Sequence, residues 1–316
     1  MIRRRLFPGA TALAASALLA LTGCSAQGGP DAAPADGLTV FATTGYLADA
    51  VANIAPEAEI VTMVGPGGDP HTYQPSTQDI ETMRAADLVL WNGLHLEAQM
   101  LEQLESLGER QLAVGEQLPE DRLLPWPEGG EHGEKLYDPH IWNDPELWRM
   151  VVDAIAVKLG EIDPDGAEGY RTNAEAYGGE IAALDAEAEE LLGALPADRR
   201  VLVSGHDAFG YFGARYGLEV HATDFVSTEA QLSATELSEL AELVVQKRVP
   251  VIFADNQANP QAVTSLQEAV HSRGWQLRIS EAELYADTLG AEAGVDSYLG
   301  VFRHTVAGQL GGEAAS

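Results

Sequence analysis

An α/β fold is predicted, with two lobes built on mostly parallel sheets and joined by one long rigid helix. Three observations carry this. Short apolar runs alternate with helical windows in both halves of the chain, turns bearing histidine or aspartate follow several of those runs, and one sustained helical window separates the halves. The first lobe is placed at residues 38–145. Residues 38–43 read as a strand and residues 46–54 as a helix; Glu59–Val64 is a second strand, ending at the Gly65-Pro66-Gly67-Gly68 turn. Ser76 opens a helix to Ala86 as its N-cap, with Asp79 in the first turn, where a carboxylate complements the helix dipole. Residues 87–91 make a third strand. In such lobes ligands gather beyond the carboxyl ends of strands, and His71 lies a few residues after one.

Residues 146–198 form the connection. Tyr170, Ala174, Tyr177, Ile181, Leu184, Ala188 and Leu191 recur at alternating spacings of four and three within residues 165–195. They form one apolar stripe along a helix of roughly 45 Å, with Gly178-Gly179 as its weak point. Such a stripe suits a coiled-coil dimer or a strut lying across both lobes. The strut is preferred, and two lobes bridged in that way close only slightly. The second lobe, residues 199–316, repeats the style of the first. Residues 201–203, 218–220, 249–254 and 275–279 read as short strands, separated by helical windows at 233–246 and Pro260–Ser272. His206 and Asp287 each follow such a strand.

The N-terminus indicates where the chain works. Arg3-Arg4-Arg5 precede an apolar segment, Ala10 to Leu21, that is too short to span a bilayer comfortably. Residues 1–23 therefore read as an export signal. Its end, Leu21-Thr22-Gly23-Cys24, has the pattern of a bacterial lipobox, in which Cys24 is diacylated and becomes the mature N-terminus. Cys24 is also the only cysteine, so no disulfide forms within the chain. The alternative, a buried free thiol, fits poorly with the Gly/Ala/Pro/Asp-rich stretch that follows, and residues 24–37 are expected to be a flexible tether. The protein is then exported and anchored by lipid to the outer face of the cytoplasmic membrane. The formal net charge is −31, and removal of the signal takes away three arginines and no acidic residue. That balance excludes nucleic acid as a partner and suits solubility, or attraction of divalent cations.

Two tripeptides recur: Asp69-Pro70-His71, followed by Thr72-Tyr73, and Asp138-Pro139-His140, followed by Ile141-Trp142. Proline fixes its own φ and biases the preceding residue toward extended geometry, so each imidazole leaves a stiffened turn. His206 in Ser204-Gly205-His206-Asp207 and Asp287 in Tyr285-Ala286-Asp287-Thr288 complete a set of three imidazoles and one carboxylate, a full shell for a borderline divalent ion. Each has a plainer alternative. His71 and His140 are also plausible surface-turn histidines, His206 a histidine bonded to backbone at a helix start, and Asp224 and Asp255 compete with Asp287 as the oxygen donor. His95 is expected to pack beside the site, with Asp69 and Asp138 supporting the ligands behind it. Imidazoles bind cations only when neutral, so affinity is expected to fall through about pH 6.5.

Five blocks occur in order along the mature chain: Gly68 to Ser76, Trp91 to Glu97, Asp138 to Asp144, His206 to Phe212, and Leu284 to Asp287. Together with the lipobox they resemble the zinc- and manganese-binding lipoproteins of ABC importers, the cluster A-I or TroA-like solute-binding proteins. The resemblance implies a metal site in the cleft between the lobes, with ligands His71, His140, His206 and Asp287. It implies Zn2+ or Mn2+ as the transported ligand and delivery to a membrane permease with a cytoplasmic ATPase. The protein is expected to be a monomer. Three nitrogens and a carboxylate lean toward zinc. The short stretch from Pro125 to Lys135, with His132 alone, and the Asn92 to Glu97 block look more like the manganese or mixed-metal branch. Rival readings are a metal-dependent surface adhesin on the same fold and a zinc hydrolase. No His-Glu-x-x-His or Gly-x-Ser-x-Gly motif supports the hydrolase.

Overall fold

The computed structural model describes residues 37–126, 135–228, 232–256 and 260–309. The export signal, Cys24, the tether up to residue 36 and His132 lie outside the described residues. The first lobe runs β1 (Thr39–Thr44), α1 (Gly45–Ile54), β2 (Glu59–Val64), α2 (Thr77–Ala85), β3 (Leu88–Trp91), α3 (Leu101–Glu105) and β4 (Gln111–Ala113). Its sheet has the order β2-β1-β3-β4 and every pair is parallel. A parallel sheet covered on both faces needs apolar residues at successive positions, and β1 provides them. Val40 and Ala42 join the large core with Leu88, Leu90 and the α1 side chains, while Phe41 points to the other face with Met63, Met83, Val89 and Trp91. The period of two along the strand separates these two layers.

The second lobe comprises β5 (Val201–Ser204), α6 (Gly210–Tyr216), β6 (Glu219–Ala222), α7 (Ala234–Lys247), β7 (Val251–Ile252), α8 (Pro260–Ser272), β8 (Arg278–Ile279) and α9 (Tyr298–Gln309). β5 pairs with β6 and β7 with β8, all parallel. A single parallel bridge between Ser204 and Phe253 joins the two pairs, with Phe253 N donating to Val203 O at 2.9 Å. The resulting order, β6-β5-β7-β8, repeats that of the first lobe. The predicted strand at 249–254 is shorter than expected because Pro250 removes a ladder donor. The one at 275–279 begins only at Arg278, since Gly274 turns the chain at φ +86° and Trp275 donates its indole N–H to Val249 O.

Between the lobes lie two helices, α4 (Pro145–Ile162) and α5 (Ala167–Gly193). The sequence reading named only the second. Asp144 caps α4 by accepting from Glu146 N and Leu147 N, and Pro145 occupies the first turn, where its missing N–H costs nothing. The 27 residues of α5 extend about 40 Å at 1.5 Å per residue. α5 lies against α1 and α4 at one side and against α6 and α9 at the other, so it is the strut. Its buried face is Ala174, Tyr177, Gly178, Ile181, Leu184, Ala188 and Leu192. Leu191, predicted in that stripe, is 39 % exposed, because after Ala188 a step of four stays on the buried face. Polar bonds fix both ends. Tyr177 Oη donates to Asp49 Oδ2 at 2.6 Å and Asn173 Nδ2 to Ile54 O at 2.9 Å, whereas Tyr216 Oη donates to Asp185 Oδ1 at 2.8 Å. No helix among the described residues is long and apolar enough to cross a membrane.

Candidate metal centre

His71 follows β2 in the tight turn that begins at Gly65. Gly68 N bonds Gly65 O at 3.0 Å, and a side chain on Gly68 would strike Val64. Asp69 Oδ1 accepts the His71 backbone N–H at 2.9 Å, and Oδ2 accepts the hydroxyls of Thr72 at 2.8 Å and Thr228 at 2.6 Å. His140 is held in the same way and more tightly. Asp138 Oδ1 takes both its backbone N–H at 2.9 Å and its Nδ1 at 2.7 Å, which leaves the Nε2 side facing inward. Asp138 is itself fixed by Leu124 O, which accepts its N–H, and by Tyr211 Oη, which donates to its carbonyl. His206 leaves β5 with its backbone N–H given to Asp255 Oδ2 at 2.6 Å. Asp287 lies beyond β8, on the loop that leads to α9.

These four side chains meet. Each offers one donor atom, and all four atoms lie within 4.8 Å of one another. His140 Nε2 is 3.4 Å from His71 Nε2 and 3.2 Å from His206 Nε2. Asp287 Oδ1 is 3.1 Å from His140 Nε2, and Oδ2 is 3.4 Å from His206 Nε2 and 3.7 Å from His71 Nε2. A tetrahedral ion with bonds of about 2.05 Å has ligand-to-ligand edges of about 3.35 Å, so the separations suit one ion at the centre. All four residues are buried.

The electrostatics divide the imidazoles. Burial pushes His206 down to about 3 and lowers His71 as well, the Asp287 carboxylate opposing both shifts. For His140 burial also lowers the value, but Asp138 and Asp287 on either side overcome it and raise it to about 10. Burial would raise Asp287, yet His206, His140 and His71 hold it well below the usual carboxylate range. Without an ion these opposing shifts favour the proton on His140 and disfavour one on His206 or His71.

Of the rival oxygens, Asp255 serves the His206 backbone, and neither it nor Asp224 belongs to the four-residue group. His95 is half-buried in a turn at φ +72°, and it too lies outside the group. Its neighbours make the connection expected of it. Glu97, whose carboxyl burial lifts to about 6, accepts from Thr43 Oγ1 at 2.7 Å, Asn92 N at 2.8 Å and Gly93 N at 3.1 Å. Asn92 Nδ2 in turn donates to Pro139 O at 2.9 Å, the carbonyl just before His140. The sequence assigns Glu97 and Asn92 no individual role; a carboxylate four residues after Gly93, among leucines, is the available signal.

A two-lobed α/β protein with three histidines and an aspartate gathered in its cleft is the class that fold and site define. The sequence matches the family described as ZnuA, zinc-uptake complex component A, periplasmic, over residues 40–308, and the chain belongs to that family. It is 38 % identical over 296 residues to the zinc-binding protein TroA of Treponema pallidum, and 34 % identical over 294 residues to the manganese-binding lipoprotein MntA of Bacillus subtilis. Each alignment covers 92 % of this chain and 94 % of the relative. The iron-binding protein YfeA of Yersinia pestis is 30 % identical over 269 residues, covering 84 % of this chain and 83 % of that one. Among solved structures, periplasmic TroA of T. pallidum superimposes with a TM-score of 0.82 at 36 % identity, covering 87 % of this chain and 98 % of that one. The laminin-binding adhesin Lmb of Streptococcus agalactiae, at 23 % identity and a TM-score of 0.75 over 87 % of this chain and 98 % of that one, shares the fold.

Proposed function

We propose that this chain is an extracytoplasmic solute-binding lipoprotein that captures zinc or manganese and hands it to an ABC permease driven by a cytoplasmic ATPase. The observation that carries the reading is the set of four buried donors, two from each lobe, at separations suited to one ion. His71, His140, His206 and Asp287 are the proposed ligands. Relatives named for manganese, zinc and iron support the substrate class. Capture brings the two lobes' ligands onto one ion, and release returns a proton to His140 between its two carboxylates. The chain is proposed to act without catalysis, as a monomer anchored through Cys24. A hydrolase needs an open coordination position, and four protein ligands fill a tetrahedral shell.

Metal analysis of the mature protein purified without chelator, followed by competition between zinc and manganese, tests the reading. One ion per chain is expected, with Asp287→Ala and His140→Ala each losing it. Stoichiometric metal retained by both variants would place the site elsewhere. Membrane fractionation of Cys24→Ala tests the anchor, and the variant is expected in the soluble fraction or unprocessed.

A further inference from the structure

Asp287 is the one anionic ligand, and donors from the first lobe hold its backbone. Tyr46 Oη donates to the Tyr285 carbonyl at 2.7 Å, and Trp142 Nε1 donates to the Ala286 carbonyl at 2.8 Å. On the far side, Thr288 Oγ1 accepts from Gly67 N at 3.2 Å and from Asn256 Nδ2 at 2.8 Å. The two aromatic donors are buried and stacked, with ring centroids 5.1 Å apart and planes at 20°. A buried hydroxyl or indole N–H that loses its acceptor costs free energy. Here the acceptors are consecutive carbonyls, so the peptides leading into Asp287 cannot turn without leaving both donors unpaired.

We propose that Tyr46 and Trp142 are positioning residues that keep both oxygens of Asp287 turned into the site, and that they thereby set the discrimination between manganese and zinc. The inference rests on the ligand set proposed above. In the held orientation Oδ1 faces His140 while Oδ2 faces His206 and His71, at 3.1, 3.4 and 3.7 Å, which presents the carboxylate edge to the ion. Zinc is satisfied by four ligands, one oxygen among them. Manganese binds such a site more weakly and is suited by additional oxygen ligation. Freeing the carboxylate to turn away one oxygen therefore costs manganese more than zinc.

Tyr46→Phe and Trp142→Phe remove each donor and keep a ring in place. Trp148→Phe is the packing control. Trp148 is fully buried, its ring lies 6.4 Å from Tyr46, and its Nε1 has no hydrogen-bond partner among the described residues. Zinc and manganese affinities of the full mature chain are measured by chelator competition, and hydrogen exchange of a peptide spanning residues 284–289 is followed in metal-free protein. Manganese affinity is expected to fall about 10- to 100-fold in Tyr46→Phe and Trp142→Phe, the range for loss of a group that orients a ligand, with zinc falling clearly less. Residues 284–289 should exchange faster in both, and Trp148→Phe should keep the wild-type metal ratio. Equal losses for the two metals, or an unchanged ratio, would overturn the proposal while leaving the ligand set intact. Wild-type binding by Asp287→Ala would instead remove the ligand set itself.

Discussion

The two lobes share a strand order and differ in how firmly it is built. In the first, β1 is paired along most of its length to β2 on one side and through Val40, Phe41 and Ala42 to β3 on the other, and its central residues are sealed from solvent. In the second, β7 and β8 have two residues each, and one bridge joins them to β5. The candidate ligands follow the same division. His71 and His140 are set by aspartates two residues upstream, within their own turns. His206 gives its backbone N–H to Asp255, 49 residues away, and the two carbonyls before Asp287 accept from Tyr46 and Trp142 in the opposite lobe. The first lobe thus presents candidate ligands organised locally, and the second presents candidate ligands organised by assembly.

Removing one histidine from each lobe breaks this comparison most strongly. At metal concentrations about 1,000-fold above Kd, binding stabilises the folded chain by about 4 kcal/mol, and both His140→Ala and His206→Ala should lose most of it. Their metal-free forms should differ. His140→Ala leaves the buried Asp138 and Asp287 without the cation between them, a loss of about 3–5 kcal/mol. His206→Ala removes a neutral ring whose Nδ1 lacks a partner among the described residues, and the metal-free melting temperature should move much less. Thermal denaturation with and without chelator reads both; equal metal-free losses would contradict the division.

The pH dependence separates the same two residues. The folded-state value of His140, about 10, lies above its unfolded value of about 6.5. The stabilisation from its proton is therefore complete below about pH 6.5 and is lost as pH rises through about 10. A metal must displace that proton, so apparent affinity should rise about tenfold per pH unit from neutrality toward pH 10, with about one proton released per ion at pH 7. His206 and His71 are already neutral there and release none. Calorimetry in buffers of different ionisation enthalpy measures the release. Affinity that levels off just above pH 6.5, as ordinary imidazoles would give, would mean that Asp138 and Asp287 do not hold the proton.

Two glycines test the strut against the second lobe. A side chain on Gly213 would meet Val220 Cγ2 and the Leu218 carbonyl, so Gly213→Ala should destabilise by about 1–3 kcal/mol through overpacking of α6 on β6. A side chain on Gly179 in α5 meets nothing within 4 Å, and Gly179→Ala should stabilise by about 0.5–1 kcal/mol. Chemical denaturation checks both signs.

The regular parts of the fold were legible from sequence because their signals are local. The apolar run of β1, the Ser76 cap and the turn that carries His71 each depend on residues within one short segment. α4 is marked by Asp144-Pro145 and by buried Leu147, Trp148, Val151, Val152, Ile155 and Leu159, but its stripe is shorter than the one in α5 and stands in the same connecting span. β7 and β8 were overextended because apolar runs give no measure of how many ladder bonds a bridge supplies. The four candidate ligands could be picked out from stiffened turns. The residues that hold the second-lobe pair could not, since Asp255, Tyr46 and Trp142 act across the fold and leave no spacing in the sequence.

The smallest expected effect is the most selective. Ser76 and Ser233 head α2 and α7 with the same reciprocal cap, each accepting from the backbone N–H three residues on, while that residue's carboxylate accepts the serine N–H. Ser76→Ala and Ser233→Ala should therefore cost about 1 kcal/mol each in denaturation. Their effects on metal should differ. Asp79, the partner of Ser76, also accepts Tyr73 Oη at 3.0 Å, and Tyr73 lies two residues after His71 on the same turn. Glu236, the partner of Ser233, bonds only its own helix start among the described contacts. Loosening the first cap should let the His71 turn drift and weaken metal binding several-fold, an effect at the low end of that for a group behind a ligand. Loosening the second should leave binding as it was, and equal changes in the two variants would show that cap strength reaches the ion only through global stability.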